Sequence, residues 1–138
     1  MIRRRRAVML VEQPEQMPLC ATAQGLEFLS ECQLVCSIPD GIRLSRWEPA
    51  GACYDGATIP RWAWSVIGHP LEFRFRWASY WHDRLCEGAT TQEGRRLADA
   101  VFLYLLHEAG VGLWKRSAMW LGCRIYGTFK VWRNGKGN

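Results

Sequence analysis

No stretch of the chain approaches the roughly 18 consecutive apolar residues of a membrane span. The start, with Arg3, Arg4, Arg5 and Arg6 ahead of Ala7-Val8-Met9-Leu10-Val11, imitates the charged region of a signal peptide. Its apolar part stops at Glu12, short of the roughly 7–15 residues that a secretory core takes. The reading is a chain with no signal peptide and no transmembrane segment. Internal repeats and a linker are also missing, so one domain over 1–138 is expected, with 1–18 and 134–138 as flexible arms. Low hydrophobicity is missing too: an apolar content of 49% with eight Trp excludes disorder. A dominant charge is lacking as well. Eighteen Lys and Arg against thirteen Asp and Glu leave +5, and the four N-terminal arginines supply most of that surplus. Nucleic-acid binding therefore ranks low, and those arginines read as a solvated terminus or an arm that touches phosphates or a partner's acidic face.

A second metal-ligand pair is the next absence. Cys32 and Cys36 have no later Cys or His pair at zinc spacing. Six cysteines without an export signal are expected to be reduced thiols rather than a disulfide framework.

What is present divides the chain into a β-rich lead-in (19–54) and a helical part (58–132). Leu26-Glu27-Phe28-Leu29 and Gln33-Leu34-Val35-Cys36-Ser37-Ile38 are strand-prone. Pro39-Asp40-Gly41 supplies a turn, and Ile42 to Trp47 alternates apolar and polar. Thr58-Ile59-Pro60 reads as the start of a short helix reaching about Ile67. A helix over 71–87 puts Leu71, Phe75, Ala78, His82 and Leu85 or Cys86 on one face. Thr90 with Glu93 offers a capping box for a central helix over 91–109. A last helix over 113–131 carries the stripe Trp114, Ala118, Leu121, Ile125 and Phe129, expected to face inward. In it Gly122 and Gly127 suggest close helix approach. The fold class is α+β, a short N-terminal antiparallel β-meander followed by a helical core with a central antiparallel helix hairpin.

The chemistry concentrates on His82-Asp83 and Asp99. With so short a loop between them the two helices run antiparallel, and at 1.5 Å rise per residue His82 and Asp99 fall at nearly the same level. Asp99 shares its face with apolar residues, so its charge needs a partner: His82, Arg95 or Arg96, or a metal ion. Asp99 holding the imidazole would leave the other ring nitrogen to activate water. Asp83, pointing about 100° away, could hold a hard cation with Asp55. The alternative reading stands beside it: the pair locks the hairpin, an arginine neutralises the acid, and Asp55 or Thr58 caps a helix. Cys86 reads as packing.

Pro49-Ala50-Gly51, Asp55-Gly56-Ala57-Thr58-Ile59-Pro60-Arg61, His82-Asp83-Arg84-Leu85, Arg96 with Ala98-Asp99, and Gly110-Val111 together resemble a family of unknown function found in phages and prophages. The resemblance implies a viral protein acting in the bacterial cytoplasm during infection or in the phage virion. More distantly, the chain looks like the prokaryotic phospholipase A2 enzymes. That likeness implies a metal-dependent hydrolase, a calcium-dependent lipid esterase, with His82 as base, Asp99 as its orienter, and Asp83 and the Asp55 loop on Ca2+. The chain lacks the His-flanking cysteines typical of those enzymes. The competing expectation is a non-enzymatic virion component or host-interaction protein whose His/Asp cluster is a structural polar lock.

Overall fold

The computed structural model describes residues 8–23, 25–54, 65, 67–69 and 72–136, with side chains up to 128 on the last helix. The architecture is α+β. The chain falls into two compact units, Met1–Tyr54 and Asp55–Asn138.

Among the described residues the first unit holds six strands: β1 (Met9–Val11), β2 (Leu19–Thr22), β3 (Gly25–Phe28), β4 (Cys32–Ile38), β5 (Ile42–Glu48) and β6 (Cys53–Tyr54). They form two three-stranded sheets, ordered β1-β4-β5 and β2-β3-β6. Period-two alternation is clearest in β3, where Leu26 and Phe28 are buried and Gly25 and Glu27 are not. The β4-β5 hairpin pairs Ile38 with Ile42 and runs out to Cys32 opposite Glu48. Its turn places Asp40 and Gly41 at φ of 73° and 76°, left-handed values that Asp and Gly tolerate best. One departure from a meander is β1, which lies parallel to β4. Met9–Val11, within the stretch read as a flexible arm, is thus a strand, and Val11 is fully buried.

The second unit contains α1 (Phe73–Gly88), α2 (Gln92–Glu108) and α3 (Leu113–Lys136). The short helix expected after Thr58 lies outside the described residues. In α1 burial is continuous from Trp77 to Trp81, so more than one face of the helix is covered there. Helix α2 buries Arg95, Ala98, Asp99, Val101, Phe102, Leu105 and Leu106, the three- and four-residue steps of one broad face. Its cap is Thr91, not Thr90: the Thr91 hydroxyl accepts the Gly94 N–H at 3.1 Å. Thr91 has the extended backbone of a cap position, which leaves Thr90 one residue too early.

The inward stripe expected on α3 is overturned. Trp114, Leu121 and Ile125 are 57%, 52% and 64% exposed, Ala118 is exposed, and the side chain of Phe129 lies outside the described residues. Met119 and Gly127 are the buried positions instead. A buried carboxylate on α2 explains the rotation. Without Arg124 the buried acid would keep only a neutral imidazole, and its uncompensated charge would cost several kcal/mol, comparable to what burying two or three apolar side chains returns. The helix therefore turns its Arg124 edge toward α2. Helix α3 also runs on to Lys136, past the expected end at residue 131. Among the described residues no helix is long and apolar enough to cross a membrane.

The cap correction has a direct consequence. Thr91→Ala should lower unfolding free energy by about 1 kcal/mol, whereas Thr90→Ala should change it by only a few tenths. Urea denaturation of the two variants compares them.

Candidate functional site

The three helices meet at one buried acid. Asp99 is 0% exposed, and both of its oxygens are engaged. His82 Nε2 lies 2.6 Å from Oδ1, and Arg124 Nη1 donates to Oδ2 at 2.9 Å. The loop between α1 and α2 is too short for anything but an antiparallel hairpin, which brings His82 and Asp99 level. The hydrogen bond expected between them is present. The neutralising arginine is different from the one expected: Arg124 of α3 takes the role assigned to Arg95 or Arg96. Arg96 is exposed and Arg95 is buried.

The imidazole is held on three sides. Its ring stands 4.7 Å from that of Phe102, centroid to centroid. Cys86, one turn on, places Sγ 3.5 Å from Nε2 and 3.9 Å from Nδ1. The His82 side chain keeps 14% exposure, so the ring is confined without being sealed. Burial lowers its pKa from 6.5 and outweighs the opposing pull of Asp99; Arg95 adds to the lowering and Asp83 works against it. A neutral imidazole beside a carboxylate donates from Nε2, which assigns the acceptor role to Nδ1.

Arg95 sits one turn before Asp99 on the same face of α2 and is 95% buried, with 5% relative exposure. Two buried side-chain nitrogens have no acceptor among the described residues, Trp81 Nε1 and Arg95 Nε. The Arg95 guanidinium occupies the space where Gly127 has no side chain. A Cβ there would stand 2.5 Å from Nε and 2.6 Å from Nη2. Of the two glycines read as close-approach positions, Gly127 is one, and Gly122 has nothing within 4 Å. Cys123, beside Arg124, is pushed up to about 12 by burial, with Asp99 and Cys86 adding to the rise, so its thiol is neutral here.

The sequence-derived cation pair fares differently. Asp83 is on the outer side of α1, its side chain 49% exposed and 3.6 Å from Arg84 Nη1. Asp55 lies outside the described residues. Among the described residues the group whose ligand atoms converge is His82, Cys86 and Asp99, all within 4.8 Å of one another. All six cysteines are free thiols. The residues that sequence reasoning missed at this site are Arg124 and the buried state of Arg95. The signal available for them was Gly127, whose missing side chain makes room for a guanidinium.

A histidine–carboxylate–arginine cluster around one buried acid is therefore what the described residues define. The chain belongs to a family described as "Protein of unknown function (DUF1353)", whose model matches residues 37–123 and so spans His82, Asp83, Arg95 and Asp99. It is similar to "Uncharacterized protein y4jT" of Sinorhizobium fredii (strain NBRC 101917 / NGR234), 37% identical over 90 residues, covering 64% of this chain and 25% of that protein. The chain thus corresponds to about a quarter of the relative's length. No solved structure matches.

Two outcomes follow from the geometry. Asp99→Ala strands Arg124 without its partner and should cost about 3–5 kcal/mol in urea denaturation. The lowered His82 pKa makes the folded state bind fewer protons than the unfolded state just below pH 6.5. Its stabilising contribution is present above that pH and is lost as pH falls through 6.5 toward the folded value. The slope should reach at most about 1.4 kcal/mol per pH unit, and His82→Asn should flatten it.

Proposed function

We propose that the chain is a small hydrolase working through the His82–Asp99 dyad, of phospholipase A2-like type and of phage or prophage origin. The observation that carries the reading is the 2.6 Å bond from the imidazole to a wholly buried carboxylate. Asp99 fixes the ring by one nitrogen, Arg124 fixes Asp99, and Nδ1 is left to take a proton from water as that water attacks an ester carbonyl. The lowered pKa of His82 keeps it in the basic form at neutral pH. On this reading His82 is the catalytic residue, and Asp99 and Arg124 are positioning residues.

Calcium enters the proposal through Asp83 and Asp55. Asp83 offers the solvent-facing carboxylate oxygen that a hard cation accepts, with Arg84 competing for it. The converging His82, Cys86 and Asp99 atoms are a softer set, and Asp99 there is already committed to two donors.

A second reading has its own support. Asp99 joins α1 to α3 through its two oxygens, as a polar lock would in a non-enzymatic virion or host-interaction protein. Turnover of phospholipid esters, measured with Ca2+ and with chelator, separates the two. A dyad enzyme should lose about 100-fold or more in kcat on His82→Asn while melting close to the parent. Asp83→Asn should remove the calcium response. A parent without turnover in either buffer, together with a large fall in Tm on His82→Asn, would leave the lock standing alone.

A further inference from the structure

The dyad uses one carboxylate, yet two guanidiniums lie around it, Arg95 buried and Arg124 half-buried. Arg124 is paired with Asp99. Arg95 is 95% buried, by its 5% relative exposure, and among the described residues its Nε finds no acceptor and none of its ion pairs is formed. A guanidinium never sheds its proton in a protein, so it cannot escape burial by becoming neutral. A buried unpaired charge costs several kcal/mol. The chain nevertheless keeps a glycine at 127, in mid-helix, where Ala would favour the helix by about 1 kcal/mol. That glycine leaves free the space the guanidinium fills, since a Cβ would come within 2.5–2.8 Å of its Nε, Nη2 and Cζ. Arg95 lies one helical turn from Asp99 and near enough to bear on both His82 and Cys123. Helices α2 and α3 are bridged on either side of it: Arg124 donates to Asp99 at 2.9 Å, and Gln92 Nε2 donates to the Thr128 carbonyl at 3.3 Å. Arg95 is held between these two fixed points.

We propose that Arg95, seated against Gly127 beside His82, is an anion-binding residue that takes a phosphate group of the ligand. A planar fork of N–H donors matches the oxygens of a phosphate. For catalysis the inference rests on the hydrolase reading, where it names the substrate class as phosphate-bearing esters. For binding it stands independently. The phosphate could belong to a lipid headgroup or to a soluble phosphoester.

Thermal melting of the full chain in inorganic phosphate, against chloride at matched ionic strength, tests the site. One-site linkage should raise the parent Tm by about 5 °C at saturating phosphate. Arg95→Met should abolish that rise. In phosphate-free buffer the same variant should melt at or above the parent temperature, because it removes an unpaired buried charge rather than a bond. Gly127→Ala should keep the helix, displace the guanidinium and likewise lose the phosphate response. A parent Tm indifferent to phosphate overturns the proposal, as does an equal response in Arg95→Met, or an Arg95→Met variant that melts far below the parent. Co-sedimentation with phosphatidic acid vesicles and with phosphatidylcholine vesicles assigns the source. Capture by the acidic vesicles that is lost in Arg95→Met supports a lipid phosphate. A phosphate response without such capture supports a soluble ester. His82→Asn should keep the phosphate response, so failure of the dyad as a catalyst and failure of this site give different results.

Discussion

A carboxylate with no access to water has to be met by donors from the elements packed on it, and Asp99 sets that condition for the helical unit. Its two oxygens take one donor from α1 and one from α3. Because a neutral imidazole alone would leave the charge uncompensated, the guanidinium of Arg124 is the partner that makes burial tolerable. The orientation of α3 follows from this requirement. The helix gives up an apolar stripe to solvent so that its polar edge can reach the acid. A conflict between hydrophobic patterning and one buried charge is resolved here in favour of the charge.

The parts of this arrangement differ in how far the sequence reveals them. Hairpin geometry at His82 and Asp99 is local: a short loop, two helical periodicities and the rise per residue bring the pair level. The turn at Asp40-Gly41 and the alternation of β3 are local in the same sense. Arg124 is 25 positions from its partner, and nothing in its own surroundings marks it as the donor to a buried acid. The stripe through Trp114, Leu121 and Ile125 points the opposite way. Period and amphipathicity report which residues share a face but not which face turns inward when a buried ion is involved. The Thr90 and Thr91 ambiguity is of another kind. Adjacent residues of one type offer the same cap, and only the backbone geometry separates them.

The imidazole's surroundings serve the proposed chemistry and the polar lock in different ways. A lock gains from complete burial, whereas a base needs one nitrogen within reach of solvent. His82 keeps limited exposure on a ring otherwise enclosed by Phe102, Cys86 and Asp99. Burial of the ring is why its proton affinity falls although an acid is bonded to it.

The spacing of Arg95 and Asp99 on α2, matched by Gly127 and Arg124 on α3, also fixes how the two helices are aligned along their length. Sliding α3 by one turn, about 5.4 Å, in one direction would bring Arg124 alongside Arg95. In the other direction it would set Gly127 against Asp99 and leave the acid without its guanidinium partner. Either displacement sets like charges together or leaves an ion unmatched, so neighbouring alignments are excluded by repulsion as well as by lost contacts. Four side-chain positions, one of them empty, act as a vernier for the helix pair.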